Sequence, residues 1–545
     1  MPDDPLPASA GQNEPLVTIV VSFRERWRFT AKAIEGIIDN TTGQFGIVLL
    51  DSGMPQNVRD EVQQHHDSGA IEIVDVGRGT LPNHGRAIVA GRLKSKYAVF
   101  IDNDIIVMPD WLDRLVDCAE TTGAGIVGPL YLMGNDGEAD LVHMAGGDLA
   151  IAQEDGGLRM ADTHRHSMRK LADIEPELRR EICDFAEYHC LLMRREVYSA
   201  EGMFDRDIVT VHEHIHASLL AREMGYETWL EPGSKVKYLS FSPWLTGECA
   251  DFRHRWDLST AEDSLTHFAS RWGVVDDAEF RARLRKFLLH HFSRADLLDP
   301  RADMAMTRDR PMTKADLQQN FSGLVWLAQA RGCTADEMLL LGRCYRIALG
   351  LCEGMFRPCG RPFINHLVGT ASVLLFYGCV VQTAMAGMLH AAFSHGRRPR
   401  SPEADGEISR LIGQLGHLGD RAANVAQRYD RRHSIFSGIE DKDVHPSRLP
   451  IGVAEIYLLE AANDVDMHLS LEVATSGRSD AISGRTLVFC QEMIETIGLP
   501  ALAATMRTVR DEQVDLPKIR FNGEFTGSFL LDEGRAVPAV RQGRN

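Results

Sequence analysis

Positive charge is in short supply in this chain: its 545 residues carry 59 Lys and Arg against 77 Asp and Glu, a formal net charge of −18. General nucleic-acid binders depend on attraction to phosphate, so this balance argues against that class. Cysteine pairing is lacking as well. The ten cysteines (Cys118, Cys183, Cys190, Cys249, Cys333, Cys344, Cys352, Cys359, Cys379, Cys490) are scattered and form no C-x-x-C pair. That is the pattern of reduced, mostly buried thiols, not of a disulfide framework or a zinc knuckle. The opening Met-Pro-Asp-Asp-Pro-Leu-Pro has neither a basic n-region nor an apolar h-region, so no signal peptide and a cytoplasmic protein are expected. Long apolar runs are also few. Residues 371–393 carry no formal charge, but Gly378, Gln382, Thr383, Gly387 and His390 interrupt them. Two buried helices broken at Tyr377-Gly378-Cys379 are expected there, with no transmembrane segment.

What is present is globular in character: 44% apolar and 25% charged residues. The length exceeds one ordinary core, so two domains are expected. Residues 1–15 read as a disordered tail. Strand-like runs then alternate with helical ones: Val17–Val21, a helix that Thr30 can cap with Ile34, Ile37 and Ile38 on one face, Ile47–Leu50, Ile71–Val74, a helix around Gly85–Leu93, and an apolar strand leading to Asp102. Pro109-Asp110 opens a further helix with Leu112, Leu115 and Val116 inward. This β-α-β-α order predicts a mostly parallel sheet with crossovers. Residues 135–180 are polar and read as an irregular insertion or lid. The first domain is expected over 16–296, a charged and Pro-punctuated linker over 297–330, a helical domain over 331–515 and a tail over 516–545. No internal repeat is evident.

Three strand ends bear aspartates, and the most informative is Ala98-Val-Phe-Ile-Asp102-Asn-Asp104-Ile-Ile-Val107. Residues i and i+2 of an extended segment point to one side, so both carboxylates can face one ligand. Hard divalent cations take oxygen donors and leave room for phosphate oxygens, and open α/β sheets bind ligands at strand carboxyl ends. The other pieces are Ser22-Phe-Arg24, Asp51, Asn83-His-Gly85-Arg86, the run Arg194-Arg195 to Gly202-Met-Phe-Asp205, and His212-Glu-His-Ile-His216 with Arg222. Their order resembles the family-2-type glycosyltransferases of GT-A fold, a Rossmann-like architecture, over about residues 16–240.

That resemblance implies an inverting transfer of a sugar from a nucleotide-diphospho-sugar to a hydroxyl acceptor: a glycan, a lipid-linked sugar or a small molecule. It implies donor binding by Ser22, Arg24, Asp51, Asn83, Arg86 and Asp102. It also implies Mg²⁺ or Mn²⁺ on Asp104, with Asp102 at the ribose or a metal-bound water. Where the family has E-D-x-D, this chain has Glu213-His214-Ile-His216, so the base is expected at Glu213 or at His214, and imidazole can serve near neutral pH. Tyr238 stands where the family's later metal histidine is expected. A replacement ligand is expected from His212, His216, Glu187 or His189, the last two sharing a face at spacing two.

The C-terminal half is helical in pattern. Its His366, His390 and Asp464 resemble three of the four metal ligands of HD-type phosphohydrolases, most closely the hydrolase domain of stringent-response alarmone enzymes. Ala391 replaces the fourth, so the resemblance implies a degenerate, non-hydrolytic HD-like domain that binds a nucleotide, tunes the transferase or mediates assembly. A metal-dependent nucleotide phosphohydrolase and a catalytically silent sugar-nucleotide sensor stand as alternatives, and a homo-oligomer is left open.

Overall fold

The structure is a computed structural model that describes residues 15–135, 140–154, 157–301, 309–395, 401–440, 442, 444–476, 482, 484–512, 528–532 and 535–538. The expected N-terminal tail and most of the C-terminal one lie outside the described residues. The chain forms two compact units. One takes the chain up to Ser242 together with Asp251–Phe287; the other takes Pro243–Ala250 and the chain from Leu288 onward.

The first unit is built on a mixed sheet. Its strands are β1 (Val17–Ser22), β2 (Phe45–Asp51), β3 (Glu72–Asp75), β4 (Tyr97–Asp102), β5 (Ile105–Val107), β6 (Ile126–Met133), β7 (Leu141–Met144), β8 (Gly147–Glu154), β9 (Gly157–His164), β10 (Glu181–Cys183), β11 (Cys190–Arg194) and β12 (Thr228–Tyr238). The sheet runs β10-β12-β6-β11-β4-β1-β2-β3, with β5 on β12 and β7 on β6. β3, β2, β1 and β4 are mutually parallel, as the alternating pattern predicts, while β11 runs antiparallel between β4 and β6. Every residue of β1 and β4 is buried, as expected of strands covered on both faces.

The crossovers are helices α1 (Thr30–Asp39), α2 (Gln56–Asp67) and α3 (Pro82–Ala90), with α4 (Trp111–Thr122) following β5. α1 buries Thr30, Ala33, Ile34 and Ile37, a one-face spacing, and leaves Ile38 half-buried. Thr30 lies inside the helix, and its hydroxyl accepts from Asn103 Nδ2 at 2.8 Å instead of capping. The glycine of Asn83-His-Gly85-Arg86 has a packing cause. A Cβ there would come within 3.1 Å of Phe23 and 3.2 Å of Leu50, so α3 seats closely on the strand ends.

Residues 135–180 are more regular than their sequence suggests. β7 joins the main sheet, and β8 and β9 pair along their full length as a separate hairpin. Half of the hairpin residues are exposed and only two are buried, so no apolar alternation marks them. A Cβ at Gly147 would collide with the Phe185 ring, which fixes the hairpin's base directly opposite His164.

The second unit is helical. Helices Phe363–Phe376 and Val381–Leu389 are almost wholly buried, and the chain turns between them at Gly378, whose φ of 78° suits glycine. Helix Ile451–Leu469 packs against both. Leu297, Leu298, Met312 and Leu317, from the segment read as a linker, join this core. Sparse apolar residues among charges concealed that packing. Among the described residues, no helix is long and apolar enough to cross a membrane.

Candidate functional site

The carboxyl ends of β1 and β4 lie side by side, with Ser22 opposite Asp102 in register. The turn after β1 is pinned to the D-x-D by Asn103: its Oδ1 accepts from the Arg24 backbone N–H at 2.7 Å, and its amide donates to Thr30. Asp102 is fully buried and accepts from three side chains. Oδ2 accepts from Arg24 Nη1 at 2.7 Å and from His189 Nδ1 at 3.0 Å, and Oδ1 accepts from Arg86 Nη2 at 3.3 Å. Arg86 also donates to Ser22 Oγ at 3.1 Å and lies 4.0 Å over the Tyr188 ring. Burial alone would raise the pKa of Asp102; Arg24, His189 and Arg86 overcome it and hold the carboxyl well below its usual range.

Asp104 is the opposite case. It is 1% exposed, and neither carboxylate oxygen has a hydrogen-bond partner among the described residues. Burial raises its pKa, and the nearby Asp102 charge adds to the rise, while Arg24 and Arg26 act against it. An unpaired buried carboxylate is costly, and it suits a hard cation's preference for oxygen. Of the expected D-x-D pair, Asp104 has free oxygens. Asp102 directs its oxygens to Arg24, His189 and Arg86.

The other expected donor residues take structural positions. Asp51 Oδ1 accepts from the backbone N–H groups of Gly53 (2.8 Å) and Met54 (2.6 Å), and Oδ2 pairs with Arg59, so this acid shapes the turn after β2. Asn83 donates to the carbonyls of Asp205 (2.9 Å) and Ile208 (2.7 Å), tying α3 to that loop. Beside these groups lies a cleft of about 220 Å³ bordered by Phe23, Arg24, Ser52, Gly53, Arg78 and His254, at the ends of β1 and β2.

The helix Glu213–Glu223 begins after His212, a non-glycine residue held at φ 62°. Such residues are uncommon and gather at functional sites. Glu213 is buried, and its carboxylate has no hydrogen bond or ion pair among the described residues; Arg86 and Tyr188 feel its charge. His214 faces Phe185, with ring centroids 5.5 Å apart. Burial pushes His212 down to about 4. His216 is not brought to the D-x-D as a ligand: its Nε2 bonds the Gly202 carbonyl at 2.8 Å and its Nδ1 accepts from Trp272 Nε1 at 3.2 Å. One helical turn beyond His212, its ring points into the core that holds the helix in place.

Of the replacement ligands expected, Glu187 and His189 do converge near Asp102, and two further histidines join them. His143 Nε2 is 2.8 Å from Glu187 Oε2, His164 Nε2 is 3.4 Å from Oε1, and His189 Nε2 is 3.6 Å from Oε2. Burial works to raise Glu187, but the three imidazoles hold it well below the usual carboxylate range. Burial lowers His164. His143 and His164 come from β7 and the end of β9, too far apart in sequence for any local spacing to mark them.

In the second unit His366 and His390 do meet, with ring centroids 5.1 Å apart. Asp464 does not join them. Its oxygens are held by Arg510 at 2.7 and 3.1 Å, because it lies on the other side of helix Ile451–Leu469. Asp466, two residues on, bonds His366 Nδ1 at 2.6 Å. Arg361 donates to Asp466 at 2.7 Å and to Glu472 at 3.1 Å, placing a guanidinium on this acid pair. Burial lowers His366 and pushes His390 down to about 4.

The first unit is similar in sequence to known proteins. An uncharacterized protein, y4gI, of Sinorhizobium fredii (strain NBRC 101917 / NGR234) is 24% identical over 301 residues, covering 53% of this chain and 29% of its own length. An uncharacterized glycosyltransferase, alr2836, of Nostoc sp. (strain PCC 7120 / SAG 25.82 / UTEX 2576) is 26% identical over 141 residues, covering 25% of this chain and 42% of its own. This chain thus spans under half the length of either relative. A crystal structure of GalNAc-T7 with UDP, GalNAc and Mn²⁺ aligns at 15% identity with a TM-score of 0.33, covering 52% of this chain and 57% of that one. Residues 18–200, from β1 through the D-x-D to β11, match the Glycosyl transferase family 2 description.

Proposed function

We propose that the first unit transfers a sugar from a nucleotide-diphospho-sugar to a hydroxyl acceptor with inversion at the anomeric carbon. The observation that carries this reading is Asp104: a buried carboxylate with two unpaired oxygens at the end of a central strand, beside an Asp102 locked by Arg24, Arg86 and His189. The family 2 match over the same residues supports it. Asp104 is the residue that would hold a divalent cation, Mg²⁺ or Mn²⁺. When bound, such a cation neutralises charge growing on the departing diphosphate.

The chain's own residues supply the remainder. The cleft at Phe23, Ser52, Gly53 and Arg78 has room for part of a nucleoside, and Asp51 keeps its turn in shape. The acceptor oxygen bonds to the anomeric carbon as the bond from that carbon to the diphosphate oxygen breaks, and the acceptor's proton passes to a base. Glu213 suits that role: it is buried, unpaired and set at a helix start held by a strained His212. His214 is half-buried beside it. The second unit is proposed as non-hydrolytic, supported by Asp464 being bound to Arg510 and by Arg361 seated on Asp466.

The test uses the full chain with a panel of uridine, guanosine and thymidine diphospho-sugars, with and without Mn²⁺. A true donor at 100-fold its Kd stabilises the protein by about 2.7 kcal/mol and slowly releases nucleoside diphosphate. If no nucleotide sugar shifts the melting temperature or is hydrolysed with Mn²⁺ present, the reading is wrong.

A further inference from the structure

We infer that His143, Glu187 and His189, with His164 beside Glu187, form a transition-metal site of their own, separate in its ligands from the Asp104 carboxylate. The candidate ligand atoms of His143, Glu187 and His189 all lie within 4.8 Å of one another. The contacts to Glu187 span 2.8 to 3.6 Å. A tetrahedral centre with ligands at about 2.1 Å separates neighbouring donor atoms by roughly 3.4 Å. The contacts of His143 and His189 to Glu187 lie within tenths of an ångström of that spacing.

Ring orientation sharpens the case. His189 Nδ1 donates to Asp102 at 3.0 Å, which leaves Nε2 as the nitrogen turned to Glu187, 3.6 Å from its Oε2. The Asp102–His189 bond is also the arrangement by which metal-bound histidines are oriented, the far nitrogen donating to a carboxylate.

The rings are braced for the task. Tyr238 stacks on His189 with centroids 4.6 Å apart, and Phe185 backs His164 at 5.8 Å. The four side chains keep 11–25% of their surface exposed, so an ion can enter and a coordination position can stay open to solvent. Ligand type sets the class. Imidazole-rich sites prefer Zn²⁺, Fe²⁺, Co²⁺ or Ni²⁺, whereas Mg²⁺ prefers oxygen alone. The inference goes beyond sugar transfer and stands without it, since no donor takes part in binding the ion.

The experiment is a Co²⁺ titration of the full chain, stripped with chelator, followed by visible d–d absorption and by metal analysis after gel filtration. One equivalent is expected, displaced by Zn²⁺ and indifferent to Mg²⁺. His143→Ala, Glu187→Gln and His164→Ala should each weaken Co²⁺ binding, the first two by more than the 10–100-fold typical of losing an outer-shell partner. Asp104→Asn should keep the full equivalent. Circular dichroism identifies which variants are folded, and the partly exposed His164 offers the mildest substitution. The inference is overturned if the folded native protein shows no saturable Co²⁺ band, if the band survives in every folded variant, or if Asp104→Asn alone abolishes it. Because the titration contains no nucleotide sugar, such a failure leaves the transfer reading where it stood.

Discussion

Asp104→Asn should make the metal-free protein more stable while removing the proposed transferase activity. In the native chain this side chain is 1% exposed and hydrogen-bonded to nothing among the described residues. Leaving a buried polar group unsatisfied costs about 1–3 kcal/mol, more if it is charged. Arg24 and Arg26 attract the carboxylate and offset part of that cost, and Asp102 repels it. Asparagine keeps the shape without the charge, yet its amide is also unpaired, so the net gain should fall at about 1–2 kcal/mol. For a unit of this size that is a rise of roughly 2–8 °C in melting temperature.

The pH dependence has a definite sign. The folded pKa of Asp104 is raised, so the native state holds its proton over a range where the unfolded chain has lost it. Native stability therefore falls as pH rises from the ordinary carboxylate value of 3.8 through the raised one. The advantage of Asn should be largest at neutral pH and vanish in acid. Differential scanning fluorimetry of both proteins in chelator, from pH 4 to 8, measures it. Equal or lower stability of Asp104→Asn at pH 7 would refute the idea that this carboxylate is buried without a partner.

Four further outcomes follow from the geometry. Glu213→Gln should lower kcat by about 10²–10⁴ with little change in donor KM, and His214→Ala should do less; steady-state kinetics with the identified donor and acceptor decides between them. Arg361→Ala should cost the second unit about 3–5 kcal/mol, because Asp466 and Glu472 lose a buried cation; urea unfolding followed by far-ultraviolet dichroism reads this. His390 is pushed down to about 4, so the unfolded state takes up its proton first as pH falls below about 6.5. That loss, up to about 3 kcal/mol by pH 4, should flatten in His390→Phe on a plot of unfolding free energy against pH. Asp464→Ala should leave the His366–Asp466 pair intact, which the His366 imidazole resonances would report.

The parallel strands were legible because each is an apolar run ending at a polar residue, and the D-x-D because its two acids are adjacent in sequence. The helix break at Gly378 was legible for a similar local reason. The remaining contacts join pieces distant in the chain. His143 lies on a strand of four residues and His164 at the end of a hairpin strand without alternation, and their value appears only once both approach Glu187. Asp464 and Asp466 lie two apart on one helix and face opposite ways, which composition alone does not reveal. His216 drew attention as one of three histidines in five residues, but helical rotation turns it toward Trp272. Asp51 and Asn83 match the expected pattern in sequence, while their hydrogen bonds go to the protein's own backbone.

Asp102 accepts from three side chains delivered by three separate parts of the chain: the turn after β1, helix α3 and the approach to β11. Those positions are not free to drift one at a time. Losing the acid would strand two buried guanidiniums, and losing either arginine would unbalance the acid. Substitutions at residues 24, 86, 102 and 189 should therefore be strongly epistatic, harmful singly and tolerated as sets. Transplanting the Asp102-Asn-Asp104 tripeptide onto another sheet would carry the letters of the motif and leave its electrostatic frame behind.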